Sequence, residues 1–344
     1  MDTTFVGRRP ELAEVGLLLK RSRLVTLTGA GGVGKTRLAR RVLGDAGGIP
    51  VDLTVLVDLE PLDDPEALPY AVARSLGLEE DPARSAVEAM ATWFRRRDVL
   101  LVLDTCDQLV DAVAELATAL LRAVPNLRIL TTGRQALGVP GEHVYLVRPM
   151  RLDDAVTLLR ERLDARTPAV TDAEAAEACD LLDRLPLAIE LAARWLPGGS
   201  VRELIGGLRE GGEVPAEAPE GGTAGPRRHH SMRAAIGWSH ELCTPRERLL
   251  WARMSVFGAD FDLEAAEFVC SGGPLPADAV LDTIGGLVEK SVVFTCDHPG
   301  GARYRTLRGI RRFGARWLDR LGEREDLRRR HDDYVTWLNE RGPK

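Results

Sequence analysis

Lysine is almost missing from this sequence: four of the 46 basic residues are lysines (Lys20, Lys35, Lys290, Lys344) and the rest are arginines. A lysine kept inside a motif is therefore informative. Aromatic residues are also scarce, at 5%. No apolar run approaches the roughly eighteen residues needed to cross a bilayer, so no membrane-spanning helix is expected. The N-terminal Met1-Asp2-Thr3-Thr4 carries neither a basic segment nor an apolar stretch, which reads as the absence of a secretory signal. The five cysteines (Cys106, Cys179, Cys243, Cys270, Cys296) include no Cys-x-x-Cys pair. An odd, scattered set points to reduced thiols and a cytoplasmic location, and away from disulfides or zinc. A net charge of −6 argues against general nucleic-acid binding by the whole chain.

What is present fits a soluble chain of several domains: 344 residues, 44% hydrophobic and 28% charged. Residues 1–150 alternate short apolar strands with helical patterns, the signature of an α/β layer around a parallel sheet with helices on both faces. Candidate strands are Leu24–Thr28, Thr54–Leu59, Val99–Leu103, Leu127–Thr131 and Val144–Val147. Helical stretches fall at about 35–44, 65–76, 83–97 and 108–123. Pro65 and Pro82 each follow an aspartate, as at a capped helix start. Residues 151–210 read as a helical subdomain, and 211–226, rich in glycine and proline, as a flexible linker. In 227–322, helices are followed by a hairpin, with Leu287–Thr295 and Arg303–Leu307 flanking Pro299-Gly300-Gly301, which suggests a winged-helix domain. Residues 323–344 look like the start of a further helical segment.

The strongest motif is Gly29-Ala30-Gly31-Gly32-Val33-Gly34-Lys35-Thr36, which fits G-x-x-x-x-G-K-[ST] between a strand and a helix. Glycines let backbone N–H groups turn inward around phosphate oxygens, and the helix N-terminus adds positive potential. Lys35 supplies a compact ammonium for the β- and γ-phosphates, where a planar guanidinium fits poorly. Thr36 offers its hydroxyl to magnesium, and Arg37 follows at the loop's edge. The motif implies ATP or ADP with Mg2+, held by Gly29, Gly31, Gly32, Val33, Gly34, Lys35, Thr36 and Arg37.

Leu100–Asp104 is an apolar strand ending in an acid, and Asp104 is placed to hold magnesium through water. Asp107 either orients the attacking water or caps the following helix. Arg134, after Thr131-Thr132-Gly133, either touches the γ-phosphate or is one more surface arginine. Lys35, Asp104, Asp107 and Arg134 are thus the candidate catalytic set. A GTPase is excluded, because none of the four lysines sits in an Asn-Lys-x-Asp element.

Phe5-Val6-Gly7-Arg8, the phosphate loop, Leu100–Asp104, Thr132-Gly133-Arg134 and Leu185-Pro186-Leu187-Ala188 fall in the order of the NB-ARC class of STAND ATPases. The stretch from Met1 to about Asn339 more closely resembles the ATPase core of actinobacterial antibiotic-pathway regulators, the large SARP (AfsR-like) type, and of related LuxR-type regulators. Val55–Pro61, Gly138–Glu142, Ser255–Cys270 and Leu287–Val293 carry further likeness. The resemblance implies that Val6 and Gly7 lie against adenine, that Pro186 packs near base and ribose, and that Arg134 is a sensor arginine. It also implies a winged helix that closes over ADP at rest, with ATP exchange permitting self-association. Transcription would be regulated through DNA contacted by a separate domain.

Departures are visible. Thr105-Cys106-Asp107-Gln108 stands where the family usually has Asn-Cys-Glu-His, and Arg184 replaces the glycine of Gly-Leu-Pro-Leu. Leu307-Arg308-Gly309 replaces Leu-Glu-Thr, and the Met-His-Asp triplet of plant relatives is missing. A final helix over about 307–321 aligns Arg308, Arg312, Arg316 and Arg320 in one basic stripe. The expected function is a nucleotide switch with slow hydrolysis. The alternatives are a nucleotide-binding scaffold with little turnover, or a winged-helix DNA-binding protein using that stripe.

Overall fold

The computed structural model describes residues 4–45, 51–79, 83–164, 167–214, 231–299 and 301–341. It divides into two compact units, one of Met1–Gly29 with Val33–Arg148, the other of Ala30–Gly32 with Pro149–Lys344.

In the first unit the elements run α1 (Arg9–Arg21), β1 (Leu24–Thr28), α2 (Lys35–Asp45), β2 (Leu53–Asp58), α3 (Leu68–Ser75), α4 (Ala86–Phe94), β3 (Val99–Asp104), α5 (Val110–Ala123), β4 (Leu127–Thr132) and β5 (Glu142–Leu146). The strands form one sheet in the order β2-β3-β4-β1-β5. Every neighbouring pair is parallel, with Leu101 level with Ile129 and Val25 level with Leu130. β1 and β3 are buried along their whole length, which is why they read as unbroken apolar runs. Alternate strand residues feed two cores. Val99, Leu101, Leu103, Leu127 and Ile129 pack with Val72, Phe94, Val113 and Leu120 of α3, α4 and α5. Val25, Leu27, Leu100, Val102 and Leu130 are also fully buried, and α1 and α2 supply buried Val15, Leu19, Leu38 and Val42. α2 packs on β1, β3 and β4, so helices cover both faces.

Two helix starts show how local sequence sets the boundaries. Asp64 accepts a hydrogen bond from Glu66 N and begins a short 3-10 turn at Pro65. α4 begins at a capping box, in which Ser85 and Glu88 satisfy each other's backbone N–H groups. Pro82, expected to open that helix, lies outside the described residues. α1 has no counterpart among the expected helices, although Val15, Gly16 and Leu19 give it a buried face.

Among the described residues the second unit is helical apart from one hairpin. α6 (Leu152–Arg162), α7 (Asp172–Leu181), α8 (Pro186–Trp195) and α9 (Val201–Arg209) come first. α10 (Met232–Glu241), α11 (Pro245–Met254), α12 (Leu263–Cys270) and α13 (Val280–Glu289) follow. Next come β6 (Phe294–His298), β7 (Gly301–Arg305), α14 (Arg308–Leu321) and α15 (Arg324–Arg341). The linker read over 211–226 lies outside the described residues from 215 onward.

The hairpin pairs Phe294 with Arg305 and His298 with Gly301. Its first strand therefore starts later than the apolar run suggested. Leu287 lies in the last turn of α13, which ends at Glu289, and the chain turns at Ser291, which holds a left-handed φ of +56°, before the strand begins. Buried Leu287, Val292 and Val293 join the core of this region whatever their backbone state, so hydropathy could not separate helix end from strand. Trp251 anchors that core, its indole N–H donating to Ile310 O at 2.9 Å. α14 comes so near that a Cβ on Gly314 would lie 2.8 Å from Trp251 Cδ1.

Candidate functional site

The loop after β1 follows a path open to glycine: Gly29, Gly32 and Gly34 hold φ of +146°, +79° and +98°. A Cβ on Gly29 would sit 2.6 Å from Val147 O. Lys35 opens α2, and its Nζ donates back across the loop to Gly29 O at 2.8 Å. Thr36 Oγ1 donates to Asp104 Oδ1 at 2.8 Å. Thr132, at the end of the intervening strand β4, donates its hydroxyl to the same oxygen at 2.5 Å and accepts Thr105 N at 3.0 Å. Asp104 is 1% exposed. Three parallel strands thus bring a hydroxyl, a carboxylate and an ammonium to the C-terminal edge of the sheet, where ligands of open α/β sheets bind. A glycine-rich loop with three left-handed glycines, a lysine arched over it and a threonine–aspartate pair at its base fit a magnesium nucleotide. Among the described residues no cluster of three or more His, Cys, Asp or Glu that could hold a metal ion is present.

Asp107 and Arg134 form a buried pair beside it. Arg134 N donates to Asp107 Oδ1 at 2.7 Å and Arg134 Nε to Oδ2 at 3.3 Å. Arg134 is 4% exposed, so the surface-arginine alternative fails. The helix-cap alternative for Asp107 fails too, because the residue at the N-cap of α5 is Leu109, with no side-chain cap. Cys106, between the acids, has its thiol pushed well above the usual range, by burial first and then by Asp107 and Asp104. It is held neutral and takes no part as a nucleophile.

Val6 and Gly7 are half-buried just before α1, and Gly7 is left-handed at φ +66°. Arg37 lies on the first turn of α2, half-buried. Gly31 and Gly32 belong with the second unit, as does Pro186. Pro186 is the buried first residue of α8, and its neighbour Leu187 donates its backbone N–H to Gly32 O at 3.2 Å.

Two residues escaped the sequence reading. Arg8, 3% exposed, donates to Val33 O at 2.7 Å and Arg148 O at 3.1 Å, tying the start of α1 to the loop. Nothing in the Phe5–Arg8 motif signals an inward guanidinium. Asp183, in the second unit, accepts Arg308 N and Gly309 N, each at 2.9 Å, and so caps α14 from 125 residues away. Its carboxyl is raised by burial, against the lowering effect of the two N–H donors and of Arg308 and Arg312. Arg308 itself is exposed.

Residues 19–138 match the family model described as an AAA domain. Over 348 residues the chain is 35% identical to Rv0894 of Mycobacterium tuberculosis, an uncharacterized protein, covering 98% of this chain and 87% of that one. The chain belongs to the same family as Rv0894. Rv0890c of the same organism, provisionally named an HTH-type transcriptional regulator, is 39% identical over 327 residues, which are 93% of this chain. This chain spans about a third of the length of Rv0890c (36%). Among solved structures, the Walker-type ATPase PABY2304 of Pyrococcus abyssi is similar, with a TM-score of 0.58 at 15% identity over 91% of this chain and 96% of that one. The fold is therefore that of a parallel-sheet α/β P-loop NTPase with additional helices, and the family carries a nucleotide-binding ATPase domain. No helix among the described residues is long and apolar enough to cross a membrane.

Proposed function

We propose that this chain is the ATP/ADP-controlled switch of a transcriptional regulator of the STAND, NB-ARC-like type. The observation that carries the reading is the Thr36–Asp104 hydrogen bond at the base of the phosphate loop, with Lys35 arched over Gly29 O. Magnesium would supply charge neutralisation at the β- and γ-phosphates, with Thr36 as its direct ligand and Asp104 as the acid behind it. Lys35 would leave Gly29 O for phosphate oxygens when nucleotide enters. By the resemblance, Val6 and Gly7 would lie against the base, and Pro186 would pack near base and ribose.

Hydrolysis, on this reading, is slow. Asp107 accepts one hydrogen bond from Arg134 at each carboxylate oxygen, so on this reading it positions the sensor arginine instead of serving as the base. Turnover would set the lifetime of the ATP state and of any self-association. The helices α10–α13, the hairpin and α14 support a winged-helix assignment for 227–322. The name carried by Rv0890c supports a role in transcription, with DNA contacted by a separate domain; the antibiotic-pathway class rests on resemblance alone. Direct DNA binding by the arginine stripe is disfavoured. Arg312 donates to Gly212 O and Leu208 O, and Arg316 pairs with Glu213, so half of the stripe is engaged inside its own unit.

The test is to denature freshly purified protein, identify the released nucleotide by chromatography, and then measure ATP binding to the emptied chain with and without magnesium. Lys35→Ala is expected to lower affinity at least 100-fold. Asp104→Asn is expected to remove most of the magnesium-dependent gain. Tight binding by the Lys35 variant would refute the site.

A further inference from the structure

We propose that the groove between α10 and α14 is a second ligand site, one that takes a small phosphomonoester with a compact apolar body. The proposal is independent of the nucleotide reading. The cavity has a volume of about 210 Å³ and is lined by Arg233, Gly237, Phe313, Arg316, Trp317 and Arg320. Four of these recur at i, i+3, i+4 and i+7 along α14, and the other two face them from one turn of α10.

The guanidiniums are arranged by aromatic rings. Arg320 Cζ lies 5.2 Å from the centroid of Trp317, and Arg316 Cζ lies 5.8 Å from that of Phe313. Each guanidinium thus stands within cation–π range of a ring one turn away, which restricts its placement, and a guanidinium's N–H edge binds phosphate or carboxylate in bidentate fashion. Trp317 is backed in turn by His240, stacked at 4.7 Å with 16° between the rings. The small residue on the α10 side is Gly237, whose missing Cβ would stand 3.9 Å from Phe313 Cε2. Any side chain there would occupy the floor of the groove.

Charge sets the ligand class. Three arginines line the groove, and Glu213 pairs with Arg316. Arg233 and Arg320 have no carboxylate partner among the described residues. The surplus of about two positive charges matches a phosphomonoester, which carries roughly −1.5 to −2 at neutral pH. Arg316 Nη2 is buried without a hydrogen-bond partner among the described residues, so fold-internal contacts leave this cation incompletely satisfied. Size narrows the class further. The cavity is below the ~300 Å³ at which drug-sized pockets begin, which suits one ring and one phosphate. A nucleic-acid backbone, with single charges spread along a rod, is a poorer match for a compact site of this charge.

The experiment is calorimetric titration of phenyl phosphate into the full chain saturated with ADP, repeated on the Lys35→Ala chain so that the phosphate loop cannot take up the probe. One site is expected in both, weakened at least tenfold by Arg320→Gln and by Arg233→Gln. Both arginines are exposed, so folding should survive, and circular dichroism checks that. Inorganic phosphate should bind at least tenfold more weakly than phenyl phosphate. Absence of binding, loss in the Lys35 variant, indifference to both arginine changes, or equal affinity for inorganic phosphate would each overturn the proposal. Displacement of phenyl phosphate by a short DNA duplex at equal phosphate concentration would overturn it in favour of a nucleic-acid face.

Discussion

Arg8 adopts a left-handed φ of +57° that places its guanidinium inward, where it donates to Val33 O, Arg148 O and Glu11. A charged donor buried among carbonyls is costly to remove, because the acceptors are then left without partners. Arg8→Ala is expected to destabilise the chain by about 2–4 kcal/mol, read from urea unfolding, and to weaken nucleotide binding by loosening Val33. A loss under about 1 kcal/mol would show that water replaces the guanidinium freely. This role was hidden in the sequence because the contact spans 25 residues to Val33 and 140 to Arg148. Lys35, Thr36 and Asp104 were legible for the opposite reason: their signal is local, a glycine spacing and an acid at the end of an apolar strand. Thr132, which shares the Asp104 oxygen, carries no such pattern and is visible only once β4 lies between β1 and β3.

At the level of elements, α14 lacks a cap of its own. Leu307 stands at its N-cap position with no side-chain bond, and Asp183 supplies both acceptors from the segment between α7 and α8. Asp183 and Arg184 are consecutive left-handed residues, at φ +55° and +51°, and this backbone turn presents the carboxylate. Asp183→Ala should cost about 1–2 kcal/mol in thermal or urea unfolding of the second unit, while Asp183→Asn should cost less. Equal stability of all three forms would show that the Asp183 cap contributes nothing to α14.

α10 carries a second test. Burial, with Arg248 adding to it, lowers the His240 imidazole from 6.5 to about 4. The unfolded chain therefore binds the proton first, so stability is fully present above about pH 6.5 and falls as pH drops through about 4. His240→Phe should flatten that decline by an amount on the order of 1–2 kcal/mol, given partial solvent access. An unchanged pH profile would mean that His240 protonates without penalty. Neither device is legible in the sequence, since hydropathy marks His240 as polar and Asp183 as a loop residue. It did show the helices and the hairpin turn, but misplaced the first strand where a helix end is equally apolar.

On the scale of the whole molecule, the alternation of apolar strands and helical patterns was enough to imply the parallel α/β sheet. What it could not show is where the phosphate loop belongs. Gly29 and Val33 group with the first unit, whereas Ala30–Gly32 groups with the second, where Gly32 O accepts Leu187 N and its Cα faces Leu187 Cβ. Residues separated by about 155 positions, as Gly32 and Leu187 are, cannot reveal that partition by spacing. If the loop is the hinge of a nucleotide switch, nucleotide should stabilise both units together. ADP at about one hundred times its Kd should add about 2.7 kcal/mol. For units of this size that shifts Tm by roughly 5–10 °C. Differential scanning calorimetry with ADP should therefore move every transition of the chain, and Lys35→Ala should move none. A shift confined to one transition, with the other unchanged at saturating ADP, would mean that the nucleotide supports a single unit and that the chain is a binding module whose two halves are not coupled.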